Sequence, residues 1–154
     1  MEEKVYQTFE DLDAYQAARE FREAMYAVTR RLPDFEKFEL ASQIRRAAVS
    51  LTNNIAEGHG RFHYLDQIKF MLQSRGSLEE LQDDLNICED EKYLPAPEIS
   101  KLKEDAWQVH KILNGYIRYL RGRKAGEPYV MRDESDAEQS NEIALEEFPD
   151  ASTL

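Results

Sequence analysis

The sequence predicts an all-α fold: an antiparallel up-down-up-down four-helix bundle followed by an acidic C-terminal tail expected to be disordered. Three observations predict it. Apolar residues recur at three- and four-residue steps through four successive segments. The connections between those segments are short, which favours antiparallel neighbours. No stretch shows strand alternation, an Asn-Gly hairpin turn or an internal repeat, and Gly and Pro are scarce at 6 and 5. With 154 residues and a hydrophobic fraction of 42%, the chain suits one domain with a real core. The expected division is an N-terminal segment at 1–10, the bundle at 11–124 and the tail at 125–154.

The first helix is expected from Asp11 to Leu32, with Ala14, Ala17, Ala18, Phe21, Ala24, Met25 and Val28 on one face. Pro33 stops it. The second runs from Glu36 to Gly58. Its stripe is Ile44, Ala47, Ala48, Leu51 and Ile55, with Gly58 and Gly60 as a C-terminal stop. The third runs from Tyr64 to Tyr93, about 45 Å at the helical rise. Ile68, Met71, Leu72, Leu78, Leu81, Leu85 and Cys88 share its face. Pro95 and Pro97 restart the chain. The fourth helix runs from Glu98 to Arg121 on Ile99, Leu102, Ala106, Val109, Leu113, Tyr116 and Leu120.

Charge is distributed unevenly. Residues 1–124 hold 19 Lys/Arg and 22 Asp/Glu, whereas residues 125–154 hold one Arg and nine Asp/Glu, so the net charge of −11 divides as −3 and −8. The body is nearly neutral, and the global charge says little about what it binds. Residues 133–142 have almost no apolar content, which predicts disorder. Ile143, Ala144, Leu145 and Phe148 partly restore it, so the tail reads either as a solubilising segment or as a docking element. No apolar run approaches the roughly 20 residues that cross a bilayer. The acidic N-terminus lacks the apolar core of a signal peptide. A single cysteine, Cys88, excludes an internal disulfide framework. A cytoplasmic protein without a membrane partner is expected.

The second segment poses the functional question. Gln43, Arg46, Ser50, Asn53, Asn54, Glu57 and Arg61 fall at steps of three and four on its polar side. Asn is a poor helix former, and two adjacent ones need a reason. Recognition is one, since Arg, Asn and Ser suit phosphate and base contacts. A structural network is another, joining Arg45, Arg46, Ser50, Asn53, Asn54, Glu57, Arg75 and Glu79 between helices or subunits. A merely solvated face is the third. Arg75 steps onto the apolar seam of the third segment, where a charge must be paired, with Glu79 or Glu57 as partner. Gly76 beside it offers room for a close approach.

The topology gathers Arg61, Arg118, Arg121, Arg123 and Lys124 at one pole of the bundle. This basic pole is a candidate site for a phosphate-bearing partner such as RNA or DNA. The competing reading is that cations collect at the end of the fourth helix because its dipole favours them. His59 and His63, four apart, straddle a turn and make a poor metal pair. Cys88 has no basic neighbour before Lys92 and reads as core. No catalytic constellation, phosphate loop or cofactor motif is present in the sequence, so no enzyme and no cofactor are expected.

Several motifs occur in order: Phe9-Glu-Asp-Leu12, Gln43-Ile-Arg-Arg-Ala-Ala-Val-Ser50, Asn53-Asn-Ile-Ala-Glu-Gly58, Gly60-Arg61, Phe70 and Arg75-Gly-Ser-Leu-Glu79. Together they resemble, over about residues 8–121, the four-helix-bundle proteins encoded in intervening sequences of bacterial large-subunit ribosomal RNA genes. The accessory variability proteins of diversity-generating retroelements belong to the same broad family. The resemblance implies an antiparallel four-helix protomer, commonly a homopentameric ring. For the retroelement branch it implies a basic nucleic-acid-binding partner of a reverse transcriptase. This chain departs in having Tyr15 where the family usually has Trp, and in its neutral body and acidic tail.

Overall fold

The computed structural model describes residues 8–125 of the chain. A 3-10 turn at Phe9–Asp11 leads into α1 (Asp13–Thr29), and a second at Asp34–Glu36 leads into α2 (Leu40–His59). Then follow α3 (Tyr64–Asp90) and α4 (Ala96–Lys124). Four helices and no strand occur among the described residues, as the apolar periodicity predicts. The acidic segment beyond Ala125, and the disorder expected of it, lie outside the described residues.

Local chemistry explains several of the boundaries. Thr8 caps the first turn by accepting from the Glu10 N–H at 3.2 Å, while its own N–H donates to Asp11 Oδ2 at 3.2 Å. Glu36 was expected to open the second helix, but the chain makes a 3-10 turn there and α2 begins at Leu40. Residues 37–39 are exposed, so no burial draws them into the helix. α4 starts at Ala96, because Pro97 occupies a first-turn position whose N–H would lack a helical acceptor anyway. It continues to Lys124, ending on Arg121, Arg123 and Lys124, which favour the negative end of the helix dipole.

The helices pack in a closed square, with neighbours α1–α2, α2–α3, α3–α4 and α1–α4. Cross-links fix the antiparallel register. On the α2–α3 seam, Ser74 Oγ donates to the Leu51 carbonyl at 2.6 Å and Ser77 Oγ to Ser50 Oγ at 2.9 Å. On the α3–α4 seam, Arg75, Glu79 and Glu89 meet Asn114, His110 and Lys103, partner numbers falling as α3 numbers rise. One core runs through all four helices, from Leu12 and Met25 to Leu113 and Leu120. Cys88 is fully buried in it. Burial pushes its thiol up to about 11, so the thiolate needed for reactivity is suppressed.

Of the three glycines singled out in the sequence, Gly60 caps the end of α2 as expected, and the other two have different roles. Gly58 does not stop α2; it is buried one residue before the helix ends, and a Cβ there would sit 2.7 Å from Phe70 Cβ and 2.6 Å from Met71 Cε. Its hydrogen side chain lets α3 cross α2 closely. Gly76 faces outward with nothing within 4 Å of a Cβ position, so no close approach occurs there within the protomer.

Candidate functional site

The polar side of α2 divides into three kinds of residue. Ser50 and Asn54 form a local network: Asn54 Nδ2 donates to the Ser50 carbonyl at 2.8 Å and to its hydroxyl at 3.0 Å, and Ser77 joins from α3. Arg45 and Arg46 make short-range bonds, Arg45 Nη2 to the Lys37 carbonyl at 3.1 Å and Arg46 Nη2 to Ser42 Oγ at 3.2 Å. Asn53 is exposed, and Glu57 pairs with Arg61 one turn on, at 2.9 Å. Helical periodicity places these residues on one side, but within that network it is Ser50 that bonds to a neighbouring helix, while Asn54 braces Ser50 from within α2.

Arg75 finds its partner elsewhere than expected. Its Nη1 donates to Asn114 Oδ1 at 3.1 Å, and the half-buried guanidinium lies at the α3–α4 edge rather than in the core. Glu57 is engaged by Arg61, and Glu79 by the buried His110 through Nε2. The partner of Arg75 is thus a neutral amide on α4, which the periodicity of α3 alone does not reveal. His59 is the last residue of α2 and His63 the residue before α3. Among the described residues no three His, Cys, Asp or Glu side chains gather as metal ligands.

The pole where α2 and α4 end and α3 begins holds Arg61, Arg118, Arg121, Arg123 and Lys124. Two contacts tie it together. Gln67 Nε2 donates to the Arg61 carbonyl at 2.7 Å, and Arg123 Nε to the Tyr64 hydroxyl at 3.4 Å. The Arg61 guanidinium also lies 4.8 Å from the Phe70 ring centre. Aromatic residues stand here, of which Phe62 and Tyr119 carried no expectation from the sequence. Phe62 is 90% exposed on the α2–α3 turn, edge-on to the His63 ring at 5.1 Å. Tyr116 and Tyr119 stack at 6.0 Å on the last turns of α4. An exposed Phe beside arginines was a legible signal. The same pole also receives the start of α1 with Glu10, Asp11 and Asp13, and Asp66 of α3, so it is mixed in charge.

The family model described as 23S rRNA-intervening sequence protein matches residues 10–115. The chain belongs to this family. The match takes in α1, α2, α3 and most of α4, including Arg61, Phe62 and Arg75. It stops before Arg118, Arg121, Arg123 and Lys124, so the basic end of α4 and the acidic segment lie outside the part that defines the family. None of the curated proteins compared with the chain matches it. No helix among the described residues is long and apolar enough to cross a membrane.

Proposed function

We propose that this family member is a non-enzymatic, cytoplasmic nucleic-acid-binding protein whose ligand is RNA. One observation carries the reading: at one pole, Arg61 just beyond α2 and Arg123 of α4 lie against aromatic rings, and Phe62 next to Arg61 in the chain is almost wholly exposed. Guanidinium groups neutralise phosphates, and an exposed ring offers a stacking surface to an unpaired base. The family description names ribosomal RNA, which favours RNA over DNA and over a retroelement reverse transcriptase as first partner. Labelled RNA and DNA strands titrated at several salt concentrations test it. Affinity is expected to fall steeply with salt, and further when Arg118, Arg121 and Arg123 become Ala. A wild-type chain that binds neither strand at low salt would overturn the reading.

A second reading, an assembly module, is favoured by the α3–α4 face. Trp107 is 52% exposed there, and Gly76 and Gly115 leave open space on the outward sides of the two helices. A large exposed aromatic beside side-chain-free backbone suits a packed subunit contact. The family resemblance implies a homopentameric ring. Native mass measurement tests it: Trp107→Ala is expected to shift an oligomer towards monomer, and a monomeric wild-type chain would rule assembly out.

A further inference from the structure

We propose that the cleft between α1 and α2 is a second nucleic-acid contact, one that holds the phosphodiester backbone of a single strand. It rests on the nucleic-acid reading above but on a separate surface, away from the pole. Two adjoining cavities of about 600 and 300 Å³ open along this face and share Arg30 in their walls. Arg22 and Tyr26 of α1 and Arg30 at its C-terminal cap follow one another at four-residue steps, each step rising about 6 Å. Arg45 of α2 and Lys37 of the preceding connection add two cations to the lining, and Asp34 adds one carboxylate.

The cations are positioned rather than scattered. Arg22 Nη1 donates to Thr52 Oγ1 at 2.8 Å, and Thr52 is buried, so one edge of the guanidinium is anchored on α2. Its remaining N–H donors are left for a ligand. Arg45 donates to the Lys37 carbonyl, which brings two cations to the same wall. Among the described residues, no carboxylate lies within 4.0 Å of Arg22, Arg30, Lys37 or Arg45. Glu23, which also lines the cleft, is 3.9 Å from Arg19, while Arg31 is taken by Glu98. Around one cleft, four cations face two carboxylates, Glu23 and Asp34, neither of which is ion-paired with them, so the lining is net positive in a chain of net charge −11 and favours an anion. The dipole of α1 accounts for cations at its end, Arg30 and Arg31, but not for Arg22 or Arg45.

The shape selects a strand over a duplex. Packed helices stand about 8–10 Å apart, so the groove between them admits a single backbone but only the ridge of a double helix. Tyr26 between Arg22 and Arg30 supplies a ring at the spacing of one turn. A basic track interrupted by an aromatic is how single strands are held without reading sequence. Every residue of the cleft lies inside the part of the chain that matches the family.

The test uses the full chain, labelled single-stranded oligouridine of about 20 nucleotides and the matched duplex. Two folded variants are compared with wild type, their folds checked by melting: R22Q/R30Q/R45Q in the cleft and R118A/R121A/R123A at the pole. The cleft variant is expected to bind the single strand at least about tenfold more weakly, and to flatten the log–log salt slope by about 2, near 0.7 per lost phosphate contact. Tyr26→Leu, which keeps an apolar side chain, is expected to cost about fivefold or more on the strand and little on the duplex. Should Arg22→Gln unfold the chain, R30Q/R45Q alone is expected to flatten the slope by more than 1. A cleft variant with wild-type affinity and slope overturns the inference, even if the pole variant is impaired. The reverse pattern upholds the cleft and sinks the pole as the site. A wild-type chain that binds neither probe overturns both.

Discussion

Lys92 closes α3 in a left-handed backbone conformation, with φ 58°. The Tyr93 N–H reaches the Cys88 carbonyl at 2.8 Å and the Lys92 N–H reaches that of Glu89 at 3.1 Å. These paired bonds satisfy carbonyls that the helix end would otherwise leave open. The conformation costs an L residue about 1 kcal/mol that glycine does not incur. Lys92→Gly is therefore expected to raise the chemical-denaturation midpoint by the equivalent of about 1 kcal/mol. An unchanged or lower midpoint would mean that the lysine side chain contributes more than its exposure suggests.

Asp84 is the other residue whose surroundings have a measurable consequence. It is 3% exposed on α3, and its Oδ2 lacks a hydrogen-bond partner. Burial, with the nearby Glu80 and Asp83 charges, pushes its carboxyl up to about 6 from an ordinary 3.8. A carboxyl with a raised folded-state pKa holds its proton more tightly in the native chain than in the unfolded one. Its contribution to stability is fully present below about pH 4 and is lost as pH rises through about 6. The loss amounts to roughly 2–3 kcal/mol at completion. Asp84→Asn is expected to flatten that slope and to be the more stable protein at pH 8, as read by urea denaturation across pH. A variant that keeps the wild-type pH dependence would assign the slope to other groups.

At the scale of elements, α2 and α3 are held by a small-residue seam. Ser50, Asn54, Ser74 and Ser77 exchange hydrogen bonds across or beside it, and Gly58 lets the two backbones approach. Gly58 and Gly76 are thereby predicted to respond to alanine in opposite directions. Gly58→Ala places a methyl inside the van der Waals distance of Phe70 Cβ, which belongs to an α3 residue with little freedom to withdraw. Overpacking of this kind costs roughly 1–3 kcal/mol. Gly76→Ala fills open space on an exposed helical surface and is expected to gain about 1 kcal/mol from helix propensity. Thermal melts of the two variants check both signs. A loss at Gly76 would point to a surface covered by a second subunit, the outcome the assembly reading requires.

For the whole molecule, electrostatics couples the bundle to the acidic segment. Residues 125–154 carry −8 against −3 for the rest of the chain, so most of the repulsion felt by an approaching polyanion comes from outside the described helices. Replacing the acidic residues of 133–142 by amides is expected to speed RNA association several-fold at low salt. The difference should vanish near 1 M salt, where the screening length falls to about 3 Å. Stopped-flow association rates test this, and equal rates at low salt would remove the segment from the account of binding.

Much of the fold was legible because helical periodicity is local. The faces of α1, α2 and α3, the buried Cys88 and most of the α4 face follow from steps of three and four; near the end of α4, Ile117 rather than the expected Tyr116 enters the core. The sites were less legible, because they depend on residues far apart in sequence. Arg75 meets Asn114 39 positions away, and Arg22 meets Thr52 30 positions away. Asp84 drew no expectation from the sequence, and the folded structure leaves it 3% exposed.

Four amphipathic helices, their antiparallel order, the family and the basic end of α4 are all legible along the chain. Each of these follows from residue type and spacing along one chain. Packing in three dimensions sets which polar residues meet, which glycine is crowded and which is open, and where cations outnumber acids. A single helix has a pattern, but a cleft such as that of Arg22, Tyr26, Arg30 and Arg45 exists only when two helices pack, since register and crossing distance set which side chains face one another.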